Sequence, residues 1–263
     1  MAKIENDKYY TPVELAKYCI DKTFELIGKE NITDILEPSA GNGSFSNQLN
    51  CVAYDIEPEN TNIIQQDYLE LQLDYMKGRL IIGNPPYGTK MFMVVKFFKK
   101  SIELGDYISF ILPVSQLDNP ISLYEFDLIH SEDLGLQNYS DRKIHCVLNI
   151  YKRPKNGLNS KPNFKMKDLT IIRESVKGYN DIKDFDLRMV YWGSGCAGRI
   201  LSVDDKRYAG EYKMYIHNDK LRDKIIEVLS NTDWKKELKA VAMLRIKHYH
   251  IYEVLKREIP DIS

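Results

Sequence analysis

The chain has 263 residues, enough for one sizeable core and a second small domain; with 43% hydrophobic residues, no bilayer-length apolar run and no charged-then-apolar leader, the expectation is a cytoplasmic protein with no membrane partner. Its net charge of −1 taken alone argues against nucleic-acid binding. Residues 1–150, however, carry 13 Lys/Arg against 22 Asp/Glu, whereas residues 151–263 carry 24 against 16, so the basic half is the part expected to approach a polyanion.

In chain order, Thr11-Pro12 begins a predicted helix running to Ile27, with Thr11 as N-cap and Pro12 at the first helical position. Strands are predicted at 32–36, 52–56, 80–83 and 107–112, with a helix at 92–104. Strands separated by helical segments predict an α/β fold with a doubly wound parallel sheet, whose ligands sit at the carboxyl ends of the strands. Two more strands are expected at 126–129 and 144–151, and the Lys/Asn/Gly/Pro-rich stretch 152–167 reads as a linker or exposed loop. Beyond it come strand-like segments at 187–192 and 212–216, a glycine-rich turn from Gly193 to Gly198, and charged helical segments at 219–229 and 234–256. The expected division is a catalytic domain at 1–154 and a small, mixed, basic C-terminal region at 155–263. Cys19, Cys51, Cys146 and Cys196 form no C-x-x-C pair, so no metal site or disulfide framework is expected.

Chemistry concentrates at three places. Asn84-Pro85-Pro86-Tyr87 follows the apolar run of residues 80–83. A planar, conjugated NH2 group is a poor nucleophile; an amide oxygen from Asn84 and the main-chain carbonyl of Pro85 can accept both of its hydrogens, while Tyr87 offers a ring for stacking. After the first strand, Glu37-Pro38-Ser39-Ala40-Gly41-Asn42-Gly43-Ser44-Phe45 is a loop in which Gly41 and Gly43 permit a sharp turn against a ligand, and it is expected to open a helix. The second strand ends at Asp55, placed to accept from ribose hydroxyls. Read as bare residues, the loop around Asn84 is also an ordinary strand-to-turn junction and Asp55 an ordinary turn carboxylate. Asp204, Glu211 and Lys213 suggest a metal-dependent nuclease triplet only weakly and read better as exposed turn residues.

Taken in order, Tyr9-Tyr10-Thr11-Pro12, the loop from Glu37 to Phe45, Asp55, Gln66-Asp67-Tyr68 and the Asn84 to Tyr87 loop resemble the S-adenosylmethionine (SAM)-dependent DNA adenine-N6 methyltransferases whose SAM motifs precede the catalytic one. The resemblance covers roughly residues 9–154. It implies a Rossmann-like SAM methyltransferase sheet and SAM as cofactor, with Tyr10, Thr11, Pro12, Pro38, Gly41 and Gly43 around the methionine end. Glu37 would lie near its amino group, Asp55 at the ribose, Asp67 at the adenine amino group, and Phe45 would form an apolar wall. Asn84, Pro85, Pro86 and Tyr87 would be catalytic, and Tyr151 a second aromatic against a flipped base. In the basic half, the Trp192 to Arg199 loop, led by Arg199, and Lys235, Lys236 and Lys239 are expected to contact double-stranded DNA. Related loops serve protein glutamine-N5 and RNA adenine methyltransferases, and a non-catalytic nucleic-acid-binding protein of the same fold is a further alternative. The Tyr-Tyr-Thr-Pro segment and the trailing basic region favour DNA. The recognised site, the oligomeric state and the presence of a cognate restriction endonuclease stay open.

Overall fold

The computed structural model describes residues 10–139, 142–174, 185–193, 195–202, 204–238 and 244–263. The chain forms two compact units, Met1–Pro162 and Asn163–Ser263.

In the first unit a seven-stranded sheet has the order β3-β2-β1-β4-β5-β7-β6, comprising β1 (Asp34–Glu37), β2 (Val52–Asp55), β3 (Ile64–Gln65), β4 (Arg79–Gly83), β5 (Tyr107–Pro113), β6 (Asp127–Tyr139) and β7 (Arg142–Lys152). Pairing is parallel from β3 through β5, whereas β7 runs antiparallel to both β5 and β6. Leu80, Ile81 and Ile82 of β4 are all fully buried, the mark of a central strand covered on both faces. One cover is α1 (Val13–Ile27), whose Ala16, Cys19, Ile20 and Ile27 meet Leu80, Ile82, Ile111 and Leu148. The other is α2 (Phe92–Leu104), whose Val94, Phe97, Phe98 and Ile102 meet Ile81, Phe110, Val147 and Tyr151. Helical periodicity produces each stripe, and a helix on each face makes the sheet doubly wound.

Four expectations about helix and strand limits change. Thr11 is not the N-cap of α1; Pro12 holds that position with no side-chain cap, and Thr11 turns its hydroxyl elsewhere. No α-helix follows the glycine loop, only a short 3-10 turn over Ser46–Gln48. The strand expected at 126–129 extends to Tyr139, bent by register shifts near Leu128/His130 and Asp133/Gly135. The helix expected at 234–256 resolves into α4 (Trp234–Glu237) and α5 (His248–Glu258), with residues 239–243 outside the described set.

In the second unit an antiparallel sheet has the order β10-β9-β11-β8, from β8 (Leu169–Glu174), β9 (Leu187–Val190), β10 (Ile200–Leu201) and β11 (Glu211–Ile216). Leu187, Met189, Tyr212 and Met214 form a core with Ile225 and Leu229 of α3 (Arg222–Asn231), Trp234 of α4, and Ile251 and Leu255 of α5. Strand alternation puts Arg188, Glu211 and Lys213 on the other face, where all three are buried. Arg188 donates to Glu211 Oε2 at 3.3 Å and from Nε to the Ser202 carbonyl at 3.1 Å. Glu211 and Lys213 are therefore interior strand residues and not exposed turn residues. Among the described residues no group of three or more potential ligands is placed to hold a metal.

Candidate active site

A cleft of about 590 Å³ lies at the carboxyl ends of β1, β2 and β4, within the usual range for a small-molecule site. Its lining draws together Tyr10, Pro38, Gly41, Asp55, Asp67, Asn84 and Pro86 from the residues singled out above. Gly41 has φ 53°, and its amide donates to Asp55 Oδ2 at 2.7 Å, while Asp55 Oδ1 accepts from the Glu57 amide at 2.8 Å. A Cβ on Gly41 would rest in ordinary contact with the Tyr10 ring at 3.7 Å, so it is the left-handed φ that calls for glycine there. Gly43 works differently: at φ 88°, a Cβ there would meet the Asn47 side chain at 2.8 Å, on the body of the loop. Asp67 accepts from the Leu69 amide at 2.9 Å and so caps the turn that presents it.

Asn84 follows directly after β4. Its Nδ2 donates to Thr11 Oγ1 at 3.2 Å, and its main-chain oxygen accepts from the Ser39 hydroxyl at 3.2 Å. Thr11 is itself fixed, 6% exposed, with its carbonyl accepting from Ser44 Oγ at 2.7 Å. Three segments distant in sequence therefore meet at Asn84, and its Oδ1 is left buried with no hydrogen-bond partner. A buried acceptor in that state is costly unless a ligand supplies the donor. Pro85 is buried beside it, and Pro86 faces the cleft.

Other expected residues sit behind the cleft. Glu37 is 1% exposed and accepts from the Ser46 amide at 2.8 Å, which braces the glycine loop from within. Burial pushes its carboxyl up to about 7, against the Ser46 hydrogen bonds that lower it. Phe45 belongs to the core beneath α1. Tyr87 is half-buried, its hydroxyl 3.5 Å from Cys146 Sγ, which lies 3.5 Å from the Tyr139 hydroxyl; burial raises the Tyr87 phenol well above its ordinary value. Tyr151 is a correction: it is fully buried, edge-on to Phe98 at 4.9 Å, and its hydroxyl accepts from Asn149 Nδ2 at 2.9 Å, so it cannot meet a base. Pro12 occupies the N-cap of α1. In the second unit Arg199 is exposed with Nη1 3.3 Å from the Tyr208 hydroxyl, and Lys235 and Lys236 are exposed on α4. Lys239 and Tyr9 lie outside the described residues.

Sequence reasoning missed Ile56 and Phe92, both lining the cleft and 57% and 59% exposed. Large apolar side chains held open at a cleft suit the faces of a planar ligand. The available signal was their adjacency to Asp55 and to the start of α2.

No protein-family model matches the chain. The type II methyltransferases M.HincII and M.HindII of Haemophilus influenzae are each 33% identical to it over 94 residues, 32% of this chain and 18% and 17% of theirs. The match thus spans under a fifth of either relative. Among solved structures, a putative RNA methyltransferase from Pyrococcus horikoshii is similar at TM-score 0.45 and 14% identity, covering 58% of this chain and 91% of that one. A type I restriction-modification methyltransferase subunit from Streptococcus thermophilus gives 0.43 and 13%, covering 98% and 60%. The fold assignment rests on the strand order itself, with one antiparallel strand inserted beside the edge. The first unit carries a doubly wound, Rossmann-like α/β sheet, and the chain's matched third is similar to type II methyltransferases.

Proposed function

We propose that the chain transfers a methyl group from SAM to the N6 amino group of an adenine turned out of double-stranded DNA. The observation that carries this reading is the buried, unpartnered Oδ1 of Asn84. With Nδ2 committed to Thr11, the amide presents an acceptor at the cleft, suited to a substrate NH2 and unsuited to a carbonyl.

The residues present fit the cofactor. Asp55 and Asp67 offer carboxylates to a nucleoside, Gly41 gives the loop its left-handed turn at the cleft wall, and the cleft has the volume for it. When bound, SAM supplies an electrophilic methyl group on a sulfonium. Asn84 Oδ1 and the Pro85 carbonyl accept the two amino hydrogens and localise the nitrogen lone pair. The activated amino nitrogen would receive that methyl group as the sulfur leaves, and its surplus proton would pass to water. Half-buried Tyr87, its hydroxyl turned inward to Cys146, is the ring that would stack on the base once the target enters beside Asn84. Arg199, Lys235 and Lys236 contribute phosphate or base contacts from the basic half. The names of the two relatives, type II methyltransferases, support methyl transfer.

The test is transfer of labelled methyl from SAM to duplex DNA, RNA and a glutamine-containing protein, followed by mass analysis of the product. N6-methyladenine in DNA is expected. Label confined to RNA or to glutamine would overturn the substrate, and SAM binding without transfer would favour the non-catalytic alternative. Asn84→Ala should lower kcat by about 100-fold or more while leaving SAM affinity unchanged.

A further inference from the structure

The first unit is acidic overall, yet four of the thirteen Lys/Arg of residues 1–150 fall between Lys90 and Lys100. Lys100 is spoken for by Glu103 at 3.4 Å. Lys90, Lys96 and Lys99 are exposed, and none has an ion-pair partner among the described residues. Phe92, Lys96 and Lys99 follow one another at i, i+4 and i+7, so they share a side of α2 while Val94, Phe97, Phe98 and Ile102 bury the other. Lys96 Nζ stands 4.5 Å from the centroid of the Phe92 ring, which also lines the cleft. Lys90, just ahead of the helix, is held at φ 54° and Met91 at φ 67°. Such left-handed backbone is rare for residues with a Cβ and gathers at functional sites.

We infer that the outer face of α2 is a docking track for the DNA strand carrying the target base, with Lys90, Lys96 and Lys99 taking successive phosphates. The inference rests on the reading of the cleft as a DNA amino-methylation site. The track begins at the residue after Thr89 of the cleft lining and follows α2, whose Phe92, Met93 and Phe97 also line the cleft. From Phe92 to Lys99 the helix rises about 10 Å, close to the axial length of three nucleotides in one strand of a duplex. Exposed cations interleaved with an aromatic ring match a phosphate backbone with a neighbouring base. The basic stripe stops at Glu103, which limits the track to the end of α2 nearest the cleft.

The experiment is fluorescence anisotropy of a labelled duplex with the full chain at several salt concentrations, using the variant with Lys90→Gln, Lys96→Gln and Lys99→Gln together. Each phosphate contact contributes about 0.9 to the slope of log affinity against log salt, so the variant's slope should be shallower by roughly 2–3. Affinity for S-adenosylhomocysteine, measured by calorimetry, should not change. Replacing Lys17, Lys22 and Lys29 by Gln, the same charge removed elsewhere on the unit, should leave the slope nearly intact. An unchanged slope in the first variant, or an equal loss in the second, overturns the track alone. A wild-type chain that binds no DNA overturns both this inference and the substrate assignment.

Discussion

The amide of Asn84 donates to the hydroxyl oxygen of Thr11 at 3.2 Å, a contact that engages Nδ2 and leaves Oδ1 as the end without a partner. A free Asn84 could rotate its amide and present a donor where an acceptor is required. Thr11→Val keeps the shape and removes the hydroxyl; it should lower kcat roughly tenfold or more with little change in S-adenosylhomocysteine affinity, and Thr11→Ser should restore most of the loss. Equal kcat in Thr11→Val and wild type would show that packing alone holds Asn84.

Glu37 links pH to stability. Its folded value, about 7, lies above the ordinary carboxylate value, so the native state holds this proton more tightly than the unfolded chain does. The associated stability is complete below about pH 4 and is lost as pH rises through about 7. Glu37→Gln stays neutral throughout and can still accept from the Ser46 amide. Denaturant midpoints should coincide near pH 4 and separate above pH 8, with the variant more stable by on the order of 3 kcal/mol. A variant equally stable at both ends would mean that Glu37 ionises without penalty.

Asp55 both lines the cleft and ties down the Gly41 and Glu57 amides. Asp55→Ala should therefore weaken S-adenosylhomocysteine binding and also loosen the loop, seen as faster amide exchange at Gly41. Gly43→Val should weaken binding indirectly, through collision with Asn47 and strain at φ 88°. Titration calorimetry beside thermal melts separates the cases: Gly43→Val should lower the melting temperature. Unchanged affinity in both variants would remove the cleft as the cofactor site.

The two tyrosines once paired as base contacts should now behave oppositely. Tyr87→Ala should weaken methylation of duplex DNA, with stacking worth roughly 1–3 kcal/mol per base. Tyr151→Phe leaves an Asn149 amide hydrogen buried without its acceptor and should cost about 1–3 kcal/mol of stability while leaving DNA affinity alone. A loss of DNA affinity in folded Tyr151→Phe would contradict its burial.

The central strands and α2 were legible because β4 and β5 are unbroken apolar runs and α2 repeats its apolar positions at helical spacing. The missing helix after Gly43 was legible only in hindsight: Asn42, Ser44, Ser46 and Asn47 favour local backbone bonding over helix, and Phe45 and Leu49 offer too narrow a stripe. Beyond 129, β6 was hidden because polar His130, Glu132 and Asp133 mask its alternation; His130 meets Glu132 along the strand and Asp133 meets His145 of β7. Asn84, Asp55 and Asp67 stood out because polar groups at or just past strand ends lie where an α/β sheet places its ligands. Thr11's grip on Asn84 did not, because a contact across 73 positions leaves no mark in either segment. Tyr151's burial required the register that sets it opposite Ile108.

Between β1 and β4 the described crossovers contain no α-helix, and Val52, Ile64, Leu73 and Met76 remain partly open to solvent. The half of the sheet that carries Asp55 and Asp67 therefore has the thinnest cover. Local opening should begin there: amide hydrogens of β2 and β3 should exchange well before those of β5 and β7. A ligand held by both carboxylates would close that breathing edge, and the protection it adds would measure its own binding free energy.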